Sequence, residues 1–503
     1  MNLRSTIKYL FVFVLLFLFN FYLRSFTFEF STLDWDELTY FILGKSIVSG
    51  FLPYRDYWDL KPIGIYLIHA ISLFVFDYSI YTLRLSGVFF STLLSFVLFI
   101  SIQNLSSPFR FLLSTSMLFL FMIFHSGLAS NTEIYFLLFE ALAFYLVFIE
   151  GHKNFLLIRI GFFVLGIAFI IKYIIIFDIF LFWLAYNVLL LIEYKDFGLK
   201  KILHRFIYSN VQIVLFLILP FLFSCVLYLA HNSFNSYFEA ILFVLRGHSK
   251  VTTFSSKIEF LLQLKYILGL LVFLIFLNHK EFLKSRVNIV SSIWILTSSL
   301  GAIWTGFLYE HYLLAIFYPM FFLLGSLLST IKFETHKKKL KSIFFVVLLV
   351  IFSFNVFKTR SHLKKTLMGI PDQGRIVADA IAKRISSNKR THNSLFFISN
   401  GTHSPYVLLD QLPPVKWVQP NNYSEKIFFE NLNLDLGELF ASLESKPISV
   451  VSWCYKYSIE ELDSGTVKDE SINGIYVKKL NLYLKNGNFK GEKLNKECQI
   501  YYL

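Results

Sequence analysis

Apolar runs dominate the first 360 positions and are separated by short polar connectors. Runs long enough to cross a bilayer core fall at 7–26, 80–103, 109–128, 131–150, 155–171, 173–193, 210–231, 259–278, 287–307, 310–331 and 342–357. The pattern predicts about eleven transmembrane helices. The stretch 63–77 is also apolar, but it is short and follows Lys61-Pro62, so an interfacial or re-entrant helix is expected there. Arg4 and Lys8 ahead of Leu10–Phe19 resemble a signal peptide, yet no small-residue cleavage site follows, and a retained first helix is expected. Beyond about Arg360 the pattern changes. Ser394–Ser399 and Ile448–Trp453 read as buried strands, and 371–385, 404–411 and 434–445 as helices. Gly474–Lys479 and Cys498–Tyr502 read as paired strands around a turn at Asn486-Gly487. The predicted architecture is a polytopic α-helical membrane domain (1–357) with a large first loop (27–79), followed by a small α/β domain (358–503).

Composition agrees with this division. Of 503 residues, 56% are hydrophobic and 16% charged, against roughly 25% charged in soluble domains. Of the 146 residues from 358 onward 35 are charged, against 45 of the 357 before them. Disorder, collagen-like repeats and an ordinary cytosolic enzyme are excluded. The net charge of +14 does not point to nucleic acid, because no recognition motif accompanies it. It points to sidedness. With the N-terminus in the cytoplasm, the inner connectors carry Arg110, Lys153 and Arg159; Lys195, Lys200, Lys201 and Arg205; Lys280, Lys284 and Arg286; and Lys332, Lys337, Lys338, Lys339 and Lys341. An odd number of spans then puts the C-terminal domain outside the cytoplasm, and the expected location is the inner (plasma) membrane. Three cysteines make neither a disulfide framework nor a zinc cluster; a Cys454–Cys498 bridge is left open.

The unusual polar residues of the membrane half fall mainly on the outer side. Five carboxylates, Asp34, Asp36, Glu37, Asp56 and Asp59, occupy 26 positions directly after the first helix, interleaved with Trp, Tyr and Leu. Residues 37–48 have helical spacing, with Leu38, Phe41 and Ile42 on one side, and hold Asp36 and Glu37 at the helix start. Carboxylates are favourable there, so capping is the plain reading of Asp34 and Asp36. Glu133 opens the 131–150 helix, and Glu140 follows on the same face, about a third of the way into the bilayer. Lys61, Arg84, Lys172, Arg246, His248 and His311 supply cations on the same side. Together they describe a two-signed cavity roofed by aromatics. Arg and Lys suit a phosphate, and an unpaired carboxylate suits a general base; glycosyl transfer from a polyprenyl phosphate needs both. A divalent metal bridging the acids and His311 could share the task, although no tight ligand spacing such as HExxH marks one.

Asp36-Glu37, then Gly50…Pro53-Tyr54…Tyr57-Trp58-Asp59-Leu60-Lys61-Pro62-Ile63-Gly64-Ile65-Tyr66-Leu67, resembles the first outer loop of GT-C fold glycosyltransferases. The likeness is to bacterial protein O-mannosyltransferase-like and lipid A aminoarabinose transferase-like enzymes. Arg84-Leu85, Asn131-Thr132-Glu133, His311-Tyr312 with Pro319, and 406–414 extend it through most of the chain. The resemblance implies an inverting membrane transferase that takes a sugar from a polyprenyl-phosphate donor and passes it to a lipid, protein or cell-envelope glycan. It implies Asp36 as base, with Glu37 beside it. Lys61 with Arg84 or Arg246 would hold the donor phosphate, and Glu133, Asp59 and His311 would position substrate. Two departures stand out: Ile63 replaces the second proline of Lys-Pro-Pro, and Leu60 replaces an acid before Lys61, which weakens a metal-ligand role for this loop. A transporter or flippase of lipid-linked glycans is the alternative, and a non-catalytic scaffold a third. No half-to-half repeat of the kind transporters show is visible.

Overall fold

The computed structural model describes residues 3–122, 127–151, 154–247, 252–304, 306–330, 338–387, 394–432 and 434–503. Among them, eight helices are long and apolar enough to cross a membrane: Leu3–Glu29, Ile80–Ser101, Thr132–Ile149, Tyr173–Glu193, Leu199–Ala230, Phe254–Leu277, Arg286–Trp304 and Glu310–Ser329. The other three expected spans are helical too; 155–171 appears with the bounds expected, whereas the helix at 109–128 is shorter than expected. Ser107–Leu120 has 14 residues and Phe155–Ile171 has 17, below the roughly 20 that cross a bilayer untilted. The last, Lys338–Met368, runs 31 residues and carries the chain past position 358 without a break.

Two short helices lie between the first span and Ile80–Ser101. Trp35–Val48 begins two residues earlier than its hydrophobic spacing suggests, because Asp34 caps it. Ile63–Val75 is 13 residues long, too short to span, as expected of 63–77. The two pack closely. A Cβ on Gly44 would sit 2.7 Å from the His69 Cβ and 2.9 Å from the Ala70 nitrogen, so only glycine permits this approach.

The C-terminal segment builds a four-stranded sheet in the order β1-β2-β4-β3, from β1 (Leu395–Asn400), β2 (Ile448–Cys454), β3 (Lys490–Lys493) and β4 (Cys498–Tyr502). β1 and β2 are parallel, and the other pairs antiparallel. Helices cover both faces, which is why β1 and β2 are apolar without alternation. Phe397 and Val451 join the core of Leu439, Leu443, Leu480 and Leu484, while Phe396, Ile398 and Val450 join Val377 and Ile381 of the Gln373–Ser387 helix.

One expectation fails here. Gly474–Asn486 is a helix, not a strand. Tyr476, Leu480 and Leu484 recur every four residues and are buried together. Asn473 caps the start by accepting from the nitrogens of Ile475 and Tyr476 at 3.2 Å. Asn486-Gly487 therefore ends a helix instead of turning a hairpin, and β4 pairs with β2 and β3. Cys454 and Cys498 face each other across β2 and β4 and form a disulfide.

Candidate functional site

The start of the Trp35–Val48 helix gathers three acids with three different fates. Asp34 is the cap: it accepts from the Asp36 nitrogen at 3.0 Å and from Asn131 Nδ2 at 3.0 Å. Asn131 itself precedes the Thr132–Phe144 helix, so one carboxylate ties two helix starts together. Burial and the neighbouring Asp36 charge push the Asp34 carboxyl up to about 7, against the hydrogen bonds it accepts.

Asp36 and Glu37 are adjacent, and one residue of helix turns them to different surroundings. Glu37 is fully buried. It accepts from the nitrogens of Leu33 at 3.1 Å and Ser130 at 2.8 Å, and pairs with Arg84 at 2.5 Å. Arg84 also donates to the carbonyls of Thr27 and Phe30, each at 3.3 Å. Glu37 and Arg84 are thus committed to each other and to backbone, and the geometry leaves neither one open to a substrate. Asp36, by contrast, keeps part of its side chain exposed, as does Lys61, its partner at 3.2 Å. It accepts from the hydroxyl of Tyr40, one turn along, at 2.8 Å, and from Gln419 Nε2 at 2.9 Å. Burial works against its ionised form, but Lys61, His311, Tyr40 and Gln419 outweigh it and hold the carboxyl below the usual range.

Lys61 is itself fixed through its backbone: its carbonyl accepts from the hydroxyls of Tyr54 at 2.6 Å and Tyr66 at 2.9 Å. Tyr54 adopts a left-handed conformation (φ 65°) to make this bond. Asp59 is buried and accepts from the Tyr66 hydroxyl at 2.8 Å, and burial raises its carboxyl above the ordinary value.

Glu133 pairs with Lys172, whose ammonium lies 4.2 Å from the centre of the Tyr312 ring. His311 is buried, stacks on Tyr309 and meets Tyr312 edge-on. Its charge, when present, acts on both Asp36 and Glu133. Asp36, Lys61, Glu133, Lys172 and His311 therefore form one cluster. Arg246 closes the Phe234–Gly247 helix; its side chain, like His248, lies outside the described residues. Among the described residues no three His, Cys, Asp or Glu side chains are placed to hold a metal.

The C-terminal segment closes the cluster from above, and sequence reasoning missed this. Gln419 reaches Asp36 across 383 positions. His403 is fully buried and bonds Thr39 Oγ1 through Nε2 at 2.9 Å. Burial lowers its ring to about 3, so it is neutral. Thr402 meets Thr32 at 2.7 Å and Ser404 meets Ser31 at 3.1 Å. Gly401 (φ +96°) makes the turn, where a Cβ would sit 2.6 Å from that of Cys454. No spacing in the sequence joins 400–419 to 31–39. The Tyr40 signal was legible, as a hydroxyl one turn beyond an acid.

No family model matches the sequence, and no curated protein is significantly similar to it. Solved structures are similar over the full length. ArnT from Cupriavidus metallidurans, crystallised with undecaprenyl phosphate, superimposes with a TM-score of 0.59 at 11% identity, over 100% of this chain and 98% of that one. Its apo form gives 0.60 at 12%, over 99% and 98%. ArnT is the lipid A aminoarabinose transferase, a GT-C fold glycosyltransferase. The chain shares this fold, C-terminal segment included.

Proposed function

We propose that this chain is an integral-membrane glycosyltransferase that takes a sugar from a polyprenyl-phosphate donor and passes it, with inversion, to an acceptor outside the cytoplasm. The observation that carries the reading is the part-exposed Asp36–Lys61 pair, in a fold shared with a protein crystallised with undecaprenyl phosphate.

In this reading the donor phosphate draws Lys61 away from Asp36. Losing its cationic neighbour makes the Asp36 carboxylate more basic just as the acceptor hydroxyl arrives. Asp36 takes the hydroxyl proton, the acceptor oxygen bonds the anomeric carbon, and the bond from that carbon to the phosphate oxygen breaks on the opposite face. The phosphate leaves with the electron pair, its charge compensated by Lys61. Tyr40 and Gln419 aim the carboxylate, while Glu133, Lys172 and His311 line the acceptor side. Glu37 and Arg84 hold the helix start in place. The Cys454–Cys498 disulfide favours an oxidising, extracytoplasmic side for the C-terminal domain, in agreement with the lysine-rich connectors opposite.

The test is transfer in membranes from a radiolabelled polyprenyl-phosphate sugar. Wild type forms product with inverted anomeric configuration, and Asp36→Asn, expressed at the same level, does not. Undiminished transfer by Asp36→Asn removes it as base; retention of configuration overturns the single displacement.

A further inference from the structure

A cavity of about 310 Å³ opens where three parts of the chain meet, and the proposed transfer makes no use of it. The first loop contributes Tyr54 and Trp58, the Phe234–Gly247 helix Glu239, and the C-terminal domain Lys416, Trp417 and Glu438. The volume falls within the roughly 300–1,000 Å³ of small-molecule sites. The Tyr54 wall is braced from behind. Its ring packs 5.7 Å from that of Tyr228 and 5.6 Å from that of Tyr237, which stack on each other at 4.3 Å. The Tyr228 hydroxyl donates to the Pro53 carbonyl at 3.1 Å. From this cavity two segments run to Asp36. Trp58 and Trp417 form a parallel bridge, in which the Trp58 nitrogen donates to the Lys416 carbonyl at 2.8 Å. Three residues after Trp58, Lys61 pairs with Asp36; two after Trp417, Gln419 donates to it. Three residues of chain reach at most about 11 Å, so the cavity and the candidate base are neighbours.

The polar groups decide what fits. Glu239, Asp435 and Glu438 bring three carboxylates, against one ammonium, that of Lys416, among the described lining residues. Asp435 Oδ1 is engaged in capping and accepts from the Gly437 nitrogen at 2.6 Å. Glu239 and Glu438 are exposed, and no ion-pair partner faces either one among the described residues. A phosphate or other anion is repelled here. A lipid chain would cover carboxylates without giving them donors. A peptide brings as many carbonyl acceptors as N–H donors, whereas this lining is already rich in acceptors. A sugar ring answers both features. Its hydroxyls donate to carboxylates, and its C–H faces lie against an aromatic ring such as that of the part-exposed Trp58. An amine on the sugar adds a matching charge.

We propose that this cavity holds a neutral or amino sugar unit of the acceptor, close to the hydroxyl that Asp36 deprotonates, and that it excludes acidic glycans. The acceptor is thereby a glycan, not a phosphate-bearing headgroup or a peptide. The assignment rests on the sugar-transfer reading and names its acceptor class.

Equilibrium binding to the full-length protein in lipid nanodiscs, free of glycosidic detergent, tests it. The probes are an array of neutral, amino and uronic-acid oligosaccharides and a lysine-rich peptide. Wild type binds one or more neutral or amino oligosaccharides saturably and no uronic-acid one. Trp58→Ala weakens that binding about tenfold or more, as loss of an aromatic anchor does. Glu239→Gln with Glu438→Gln alters two exposed side chains, weakens binding similarly, and decides the matter should Trp58→Ala fail to fold. Glu239→Lys with Glu438→Lys turns the preference toward uronic acids, which a purely structural role would not do. Binding of no neutral or amino sugar overturns the proposal even where the wild type transfers sugar. So does binding unchanged in both Trp58→Ala and the double Gln variant, or capture of the peptide alone. Sugar bound as expected, without any transfer from a polyprenyl-phosphate sugar, supports the cavity as a sugar site and counts against the transferase reading alone.

Discussion

Two turns of one helix separate two kinds of acid site. At the helix start, Glu133 meets Lys172, and nearby Asp36 meets Lys61 and Glu37 meets Arg84. About 10 Å deeper, Glu140 meets another acid. The outer acids are balanced by side chains of the same protein, one of which, Lys61, remains part-exposed. The inner pair is acid against acid, Glu140 and Asp178 partnering each other. A second contrast sits inside the first: Asp36 and Glu37 are neighbours, yet one is part-exposed and the other sealed by its base. In this chain, exposure separates the ion pair proposed to take part in transfer from a structural one.

Breaking the contrast at Asp36 has the largest expected effect. Asp36→Asn removes the base, and transfer, compared at equal amounts of folded protein, falls about 10²–10⁴-fold, the usual worth of general base catalysis. Glu37→Gln acts the other way. It leaves Arg84 buried without its counter-charge and costs about 3–5 kcal/mol of stability, read by thermal unfolding or by loss of folded protein in membranes. Cys454→Ser opens a loop of 44 residues and costs the C-terminal domain about 2–4 kcal/mol; proteolysis of that segment detects it, and loosening it withdraws Gln419 from Asp36.

The smallest effect concerns pH and sharpens the role of Asp34. Its carboxyl is raised to about 7 by burial and by Asp36. An acid raised on folding contributes stability that is fully present below its unfolded value, roughly pH 4, and is lost as pH rises through 7. Asp34→Asn flattens the decline in unfolding midpoint between those values. Asp36, held low, behaves oppositely. Its contribution is present above roughly pH 4 and is lost only in stronger acid, so it stays ionised across the physiological range.

Much of the membrane half was legible because helices declare themselves locally: apolar length gave the spans, and Lys61-Pro62 marked the short helix that does not cross. The acids of the first loop were legible because charge among Trp and Tyr needs a reason. Pairing was not. The spacing alone does not tell Asp36 from Glu37; the resemblance singled out Asp36, and the approach of Arg84 on one side and Lys61 on the other gives the physical difference. Gln419 and His403 were hidden for the same reason, since they come from a domain more than 360 positions away. The Gly474–Asn486 helix was misread because Asn-Gly signals both a hairpin turn and a helix end; the buried four-residue spacing of Tyr476, Leu480 and Leu484 decides between them. The disulfide needed the β2–β4 pairing before its two cysteines could be matched.

The most direct measurement is equilibrium binding of undecaprenyl phosphate to the purified protein and two variants. The account predicts that wild type binds it, that Lys61→Ala weakens binding tenfold or more, and that Asp36→Asn, by releasing Lys61, binds as tightly or more tightly. Equal binding by Lys61→Ala and wild type, or no binding by wild type, contradicts it.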